Sequence, residues 1–125
     1  MKFAFSTIKT NDLVSSLKFY EDIIGLVEIR RINPQEGVQC VFLKDEDNSI
    51  IELVETMEPL ISSKEHTETQ MALGFSVDDL DKALEMLKKN DIQIIRGPFD
   101  APGGVKIAFI EDPNGVSVEL IEGFI

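Results

Sequence analysis

The sequence is poor in the residues that most often carry chemistry. It has one cysteine, Cys40, one histidine, His66, one tyrosine and no tryptophan in 125 residues. A lone cysteine excludes an internal disulfide framework, and Cys40 lies in a strand-like apolar run, so it reads as a buried free thiol filling core space in a reducing compartment. No cysteine pair is available for zinc, there is no P-loop or dinucleotide fingerprint, and no histidine stands where it would activate a serine or the cysteine. Gly103-Gly104 follow Pro102 ahead of a strand rather than opening a helix, so they read as a loop and not as a phosphate cradle. Basic residues are also scarce: 12 against 23 acidic ones give a net charge of −11, which opposes binding to phosphate backbones and anionic membranes. Many of the acids, such as Glu21, Asp22, Asp81 and Glu85, fall on expected helix faces and turns and read as a solvated surface. No segment approaches the ~20 apolar residues that span a bilayer, and Met1 to Lys9 holds no stretch long enough for a signal peptide. The expectation is a soluble cytoplasmic protein without a nucleic-acid or membrane partner.

What the sequence does have is a 43% apolar content, enough for one core, and an internal repeat. Residues 5–55 align with 72–122 at a constant offset of 67, and 10 of the 51 pairs are identical. Roughly three would be expected by chance. The identities are Asp12/Asp79, Leu13/Leu80, Leu17/Leu84, Gly37/Gly104, Val38/Val105, Phe42/Phe109, Asp45/Asp112, Glu52/Glu119, Leu53/Leu120 and Glu55/Glu122. The chain thus reads as a single domain over 1–125, with one module at about 3–55, a connector at 56–69 broken by Pro59, and a second module at about 70–122.

Each module reads as βαβββ. Phe3 to Thr10 and Gln70 to Val77 are strand-like, the second alternating Met71, Leu73, Phe75 and Val77 against Gln70, Ala72, Gly74 and Ser76. A helix follows each. The first places Leu13, Leu17, Tyr20 and Ile24 on one side, with Asn11 or Asp12 as N-cap and Gly25 as stop; the second places Leu80, Ala83, Leu84 and Leu87 likewise, with Asp78 or Asp79 as cap and Asn90 near its end. Three short strands then close each module. In the second they are Gln93 to Arg96, Val105 to Glu111 and Val116 to Ile121, with Asp112-Pro113-Asn114-Gly115 as the last hairpin turn. One face of such a small sheet is buried by its helix, so two modules are expected to pair and enclose a cleft. In the last strand Val116, Val118 and Leu120 should pack under the helix, which leaves Ser117, Glu119 and Ile121 for the cleft; Glu52 takes the same orientation in the first module.

These pieces resemble the glyoxalase/bleomycin-resistance/dioxygenase (vicinal oxygen chelate) superfamily. The resemblance rests on Asn11-Asp12-Leu13, Lys18-Phe19-Tyr20, Ile24-Gly25-Leu26 and Ile51-Glu52-Leu53 in the first module. In the second it rests on Ser76-Val77-Asp78-Asp79-Leu80, Glu111-Asp112-Pro113-Asn114-Gly115 and Val118-Glu119-Leu120. It covers nearly the whole chain and implies an α+β fold of two tandem βαβββ modules pairing into an incomplete barrel-like sheet around a cleft.

Metal-dependent members of that family hold one divalent ion with a histidine or glutamine on each first strand and a glutamate on each last strand. The resemblance puts Phe5 and Ala72 at the first-strand positions and Glu52 and Glu119 at the last-strand ones. Neither Phe5 nor Ala72 can bind a metal, so the expectation is no cofactor; the alternative is a weakly held Mg²⁺ or Mn²⁺ at Glu52 and Glu119. Phe5, Glu52, Ala72, Glu119 and Gln70 are the candidate ligand-binding residues. Phe5 offers a stacking surface, the two glutamates an anchor for a cationic or donor group, and Gln70 a weak donor whose other reading is a polar strand end. The glutamates have a structural reading too, as strand-end residues that meet solvent or accept backbone hydrogen bonds. His66, six residues before Ala72, could span up to ~20 Å of extended chain to the cleft or remain a solvated loop histidine. Arg30, Arg31 and Arg96 could approach a ligand or neutralise the acids.

Three functions follow. The first is a metal-free protein that binds a small organic molecule, cationic or aromatic, as bleomycin-resistance proteins sequester their drug. The second is a glyoxalase- or epimerase-type lyase or isomerase, in which Glu119 or Glu52 is a catalytic base or a ligand of an atypical metal site. The third is a purely interacting subunit. A homodimer is expected, since open sheet edges call for cover.

Overall fold

The computed structural model describes residues 2–58 and 71–124. The expected connector over 56–69 falls largely outside them, as do His66 and Gln70. The chain divides into two compact units, Met1–Ser62 and Ser63–Ile125. Each is a βαβββ module with its own four-stranded mixed sheet.

In the first unit, β1 (Ser6–Thr10) is followed by helix α1 (Leu13–Leu17), which continues as a π-helical stretch over Lys18–Ile24, then by β2 (Val27–Gln35), β3 (Val38–Lys44) and β4 (Ile50–Glu55). The sheet order is β1-β4-β3-β2, with β1 parallel to β4 and the other pairs antiparallel. Strand alternation sends Val41, Leu43, Ile51, Leu53 and Ile8 to one face, where they are buried with Leu13, Phe19 and Tyr20. Each such side chain contributes ~1.5–3 kcal/mol by leaving water. The hydroxyls of Thr10 and Ser16, both fully buried, satisfy each other at 3.0 Å; Thr10 Oγ1 also accepts from the Asp12 N–H at 2.9 Å, and Ser16 Oγ donates to the Asp12 carbonyl at 2.8 Å.

The second unit repeats this with β5 (Ala72–Val77), α2 (Leu80–Lys89), β6 (Arg96–Ala101), β7 (Val105–Glu111) and β8 (Ser117–Glu122) in the order β5-β8-β7-β6. Leu80, Leu84 and Leu87 of the helix are buried, as are Ala108, Ile110, Val118 and Leu120 of the sheet.

Several repeat identities have a local structural cause. Asp12 and Asp79 are the N-caps, accepting from the N–H groups of Ser15 and Lys82 at 3.1 Å. Those bonds from Ser15, first from its N–H and then from its hydroxyl, hold Asp12 below the usual carboxylate range. Glu55 and Glu122 reach from the last strands to the same two helix starts, accepting from the N–H of Leu13 and of Leu80, each at 2.8 Å. Asp45 and Asp112 build the β3–β4 and β7–β8 turns. Asp45 Oδ1 accepts from the N–H groups of Asp47 and Ser49 at 2.9 and 2.8 Å, and Asp112 Oδ1 from those of Asn114 and Val116, both at 2.8 Å. The left-handed residue each turn requires is Asn48 (φ 65) in one and Gly115 (φ 84) in the other.

The structure departs from the sequence reading in five places. The first strand starts at Ser6, so Phe3 to Phe5 precede it, and the fifth starts at Ala72 rather than Gln70. The first helix buries Leu13, Ser16, Phe19 and Tyr20, while Leu17 and Ile24 are only half-buried. The cause is its π-helical second half, which rotates the buried stripe away from strict 3.6-residue periodicity. From N-cap to closing bond the segment also holds one residue more than its counterpart, Asp12 to Leu26 against Asp79 to Ile92. The Leu26 N–H bonds the Tyr20 carbonyl, six residues back, at 2.8 Å, whereas the Ile92 N–H bonds that of Leu87, five residues back, at 2.9 Å. The sixth strand runs over Arg96–Ala101, not Gln93 to Arg96. Proline98 is tolerated within it because β6 is an edge strand, where a missing N–H deprives no neighbour. Val116 lies before β8 and is half-buried rather than core.

Candidate functional site

Subtracting the identities that cap helices and build turns leaves one polar repeat, Glu52/Glu119, and its neighbour, Phe42/Phe109. They are partners in both sheets: Phe42 pairs in register with Glu52, and Phe109 with Glu119. In-register partners project to the same side of a pleated sheet, and here that side is opposite the helix, because Val41, Leu43 and Leu53 alternate with them in the first unit and Ala108, Ile110, Val118 and Leu120 in the second.

In the first unit Glu52 is half-buried on β4 and accepts a 2.8 Å hydrogen bond from Thr7 Oγ1, its register partner on β1. Phe5, just ahead of β1 and 43% exposed, meets Phe42 edge-on, with centroids 5.5 Å apart at 84°. Cys40 shares the strand parity of Phe42, so it lies on the Glu52 face. It is buried all the same, and burial pushes its thiol up, helped by the charge of Glu52 and a hydrogen bond to it.

In the second unit Glu119 is half-buried on β8, between Phe109 on β7 and Gly74 on β5. Its carboxylate makes no hydrogen bond among the described residues. The Phe109 ring carries the Arg96 guanidinium 4.4 Å from its centroid and stacks near Phe99 at 6.3 Å and 26°. Ala72 pairs with Ser117 and is exposed. The backbone at Gly97 (φ 90) runs so close to β7 that an added Cβ would meet the Ile107 carbonyl oxygen at 2.8 Å, which ties the chain beside Arg96 firmly to the sheet.

The three arginines separate. Arg31 is bound to Glu28 at 2.7 Å, and that bond holds the Glu28 carboxyl below its usual range. Arg30 pairs in register with Phe42, and Arg96 with Phe109. Each sheet therefore presents one row across its four strands: Thr7, Glu52, Phe42, Arg30 in the first, and Gly74, Glu119, Phe109, Arg96 in the second.

As a metal centre the donor set is thin. Phe5 and Ala72 supply no donor, each row holds one carboxylate, and no group of three or more His, Cys, Asp or Glu side chains among the described residues is placed to hold an ion. A transition metal of the kind held through imidazole does not fit these residues. No helix among the described residues is long and apolar enough to cross a membrane.

Comparison with known proteins places the fold. The family model of the Glyoxalase/Bleomycin resistance protein/Dioxygenase superfamily matches residues 2–120. The chain is 30% identical to a lactoylglutathione lyase of Haemophilus influenzae, over 98% of this chain and 93% of the relative. Among solved structures it is similar to a glyoxalase family protein from Bacillus cereus, with a TM-score of 0.80 at 18% identity over 98% of this chain and 93% of that one. It is also similar to the trypanothione-dependent glyoxalase I of Leishmania major, with a TM-score of 0.76 at 26% identity over 98% and 86%.

Proposed function

The chain belongs to the glyoxalase/bleomycin resistance protein/dioxygenase superfamily, and on that premise we propose that it binds a small organic molecule through the Glu52 and Glu119 faces of its modules, without a transition metal. The observation that carries this reading is the Phe–Glu pair that recurs on the non-helix face of both sheets; it is supported by the resemblance, which puts Phe5 and Ala72, neither of them a metal donor, at the family's nitrogen-ligand positions. A carboxylate beside an aromatic ring suits a ligand with a cationic or hydrogen-bond-donating group attached to an apolar body. Glu119, with no hydrogen bond among the described residues, is available to such a group. In this proposal the working form is a cytoplasmic homodimer.

Elemental analysis of protein purified from a metal-replete medium tests it. The expected result is no stoichiometric Zn²⁺ or Ni²⁺ and no isomerisation of the hemithioacetal of glutathione and methylglyoxal. About one equivalent of either metal, lost in Glu52→Gln, would overturn it.

A second reading, a lyase or isomerase of the glyoxalase kind, is favoured by the names of the curated relatives, lactoylglutathione lyases at 28–30% identity. In that reading Glu119 or Glu52 takes the proton next to a carbonyl as a metal-independent base. Turnover abolished by Glu119→Gln in metal-free protein would decide for it.

A further inference from the structure

We propose that Arg30 and Arg96 are ligand-binding residues, so that the molecule recognised carries an anionic group in addition to the donor or cationic group assigned to Glu52 and Glu119. This deepens the small-molecule reading above and rests on it.

The argument begins with register. Arg30 and Arg96 hold the same position in their sheets, on the edge strand opposite the repeated phenylalanine, and each has a β-bulge beside it, between Glu28 and Arg30 and between Arg96 and Phe99. Bulges re-aim side chains at sheet edges and next to sites. A solvated charge protecting an edge strand from aggregation would serve at any outward position. Here two of the chain's three arginines occupy the one position in line with the Phe–Glu pair, and the third is committed to Glu28.

Neither guanidinium is used up by the fold. Arg30 is exposed, and its guanidinium makes no hydrogen bond or ion pair among the described residues. Arg96 is exposed, its Cζ lies 4.4 Å from the Phe109 ring centroid, and its guanidinium makes no hydrogen bond or ion pair among the described residues, so its N–H donors are open to a ligand. Within each row the arginine and the glutamate sit on alternate strands, roughly 10 Å apart at the backbone, with an aromatic ring between them. Neither pair closes into a salt bridge. Each row is thus ordered guanidinium, ring, carboxylate, the complement of an amphoteric molecule whose acidic and basic ends flank a planar or apolar middle.

The probe is 4-(aminomethyl)benzoate, compared with 4-methylbenzylamine, which lacks the acid, and 4-methylbenzoate, which lacks the amine. Because the chain has three arginines, its ¹⁵N spectrum should hold three side-chain Nε–Hε signals, assignable from Arg30→Lys, Arg31→Lys and Arg96→Lys. The amphoteric compound is expected to move the Arg30 and Arg96 signals and leave that of Arg31. It should bind about tenfold tighter than 4-methylbenzylamine, the size of one charge-assisted hydrogen bond. The ratio should fall toward one in Arg30→Gln/Arg96→Gln and stay at its full value in Arg31→Gln. If 4-methylbenzylamine binds in a manner abolished by Glu119→Gln, yet the amphoteric compound binds no tighter and the arginine signals stay in place, the arginine assignment is wrong and the small-molecule reading stands. If none of the three compounds binds at millimolar concentration, both are overturned.

Discussion

Thr7 and Glu52 face each other across the parallel β1–β4 pair and share a 2.8 Å hydrogen bond, whereas the equivalent position of the second unit sets Gly74 beside Glu119. The same repeated carboxylate is therefore tethered in one module and untethered in the other. Thr7→Val should cost about 0.5–1 kcal/mol in urea unfolding, the net worth of a partly exposed hydrogen bond, while Glu119→Gln should stay within about 0.5 kcal/mol of the parent. A larger loss for Glu119→Gln than for Thr7→Val would mean that Glu119 supports the fold instead of waiting for a ligand.

Glu55 and Glu122 make the opposite case. Each carboxylate accepts the first N–H of a helix at 2.8 Å, adding to the Asp12 or Asp79 cap and placing negative charge at the positive end of the helix dipole. Glu55→Ala and Glu122→Ala should each destabilise by about 1 kcal/mol, within the range of lost N-caps, and leave the affinity of a bound amine unchanged. Glu52→Gln and Glu119→Gln should show the reverse pattern when urea unfolding and calorimetric titration are run on the same proteins.

Two of the ten identities, Glu52/Glu119 and Glu55/Glu122, look alike in an alignment, and only the structure separates capping from display. The parity of the last strand was legible, because Val118 and Leu120 alternate with Glu119 and a strand has no other way to bury its apolar half. The arginine positions were not. A gapless offset of 67 sets Arg30 against Gly97, yet the sheets place Arg30 opposite Phe42 and Arg96 opposite Phe109, an offset of 66 (96 − 30). The extra residue of the first helix is absorbed as a π turn, and one is regained in the second hairpin, where residues 102–104 link β6 to β7 while only 36 and 37 link β2 to β3. Compensating insertions of this kind leave the flanking identities in phase and hide what lies between. The identical pairs Ile29/Ile95 and Arg30/Arg96, both one residue out of phase, were the available signal.

Cys40 makes a pH-dependent prediction. Burial, followed by the charge and hydrogen bonding of Glu52, raises its pKa above the ordinary thiol range. A group raised in the folded state contributes stability that is complete below its unfolded pKa, near ~8.5 for a thiol, and is lost as pH rises through the folded pKa, because the unfolded chain gives up that proton first. Stability should thus decline above the ordinary thiol range, and Cys40→Val should reduce the decline. The measurement is the difference in urea midpoint between parent and variant at neutral and alkaline pH, which cancels every contribution the two proteins share. Native protein should also react slowly with a thiol reagent at neutral pH, since the thiolate is the nucleophile.

Each four-stranded sheet ends in edge strands, β1 and β2 in the first unit and β5 and β6 in the second, and unpaired edges favour association. Light scattering at micromolar concentration is expected to give twice the 14.0 kDa chain mass. A clean monomer mass would remove the homodimer from the proposed function.

The residue assignment itself is tested by giving back the imidazoles. The sequence resemblance puts the family's metal-ligand positions, a histidine or glutamine on each first strand and a glutamate on each last strand, at 5, 72, 52 and 119. If the Glu52 and Glu119 faces serve one ligand, as proposed, Phe5→His with Ala72→His should create a Zn²⁺ or Ni²⁺ site that neither single substitution provides, because two imidazoles with two carboxylates form a set with real affinity for such ions. An ion bound only by the folded protein stabilises it by mass action, so either metal should raise the melting temperature of the double variant and leave that of the parent unchanged. Losing the edge-on contact of Phe5 with Phe42 will itself cost ~1–3 kcal/mol. Each variant must therefore be compared with itself, with and without metal. A double variant that folds and yet gains nothing from either ion would show that Phe5 and Ala72 do not stand at the family's ligand positions, or that Glu52 and Glu119 do not serve one ligand.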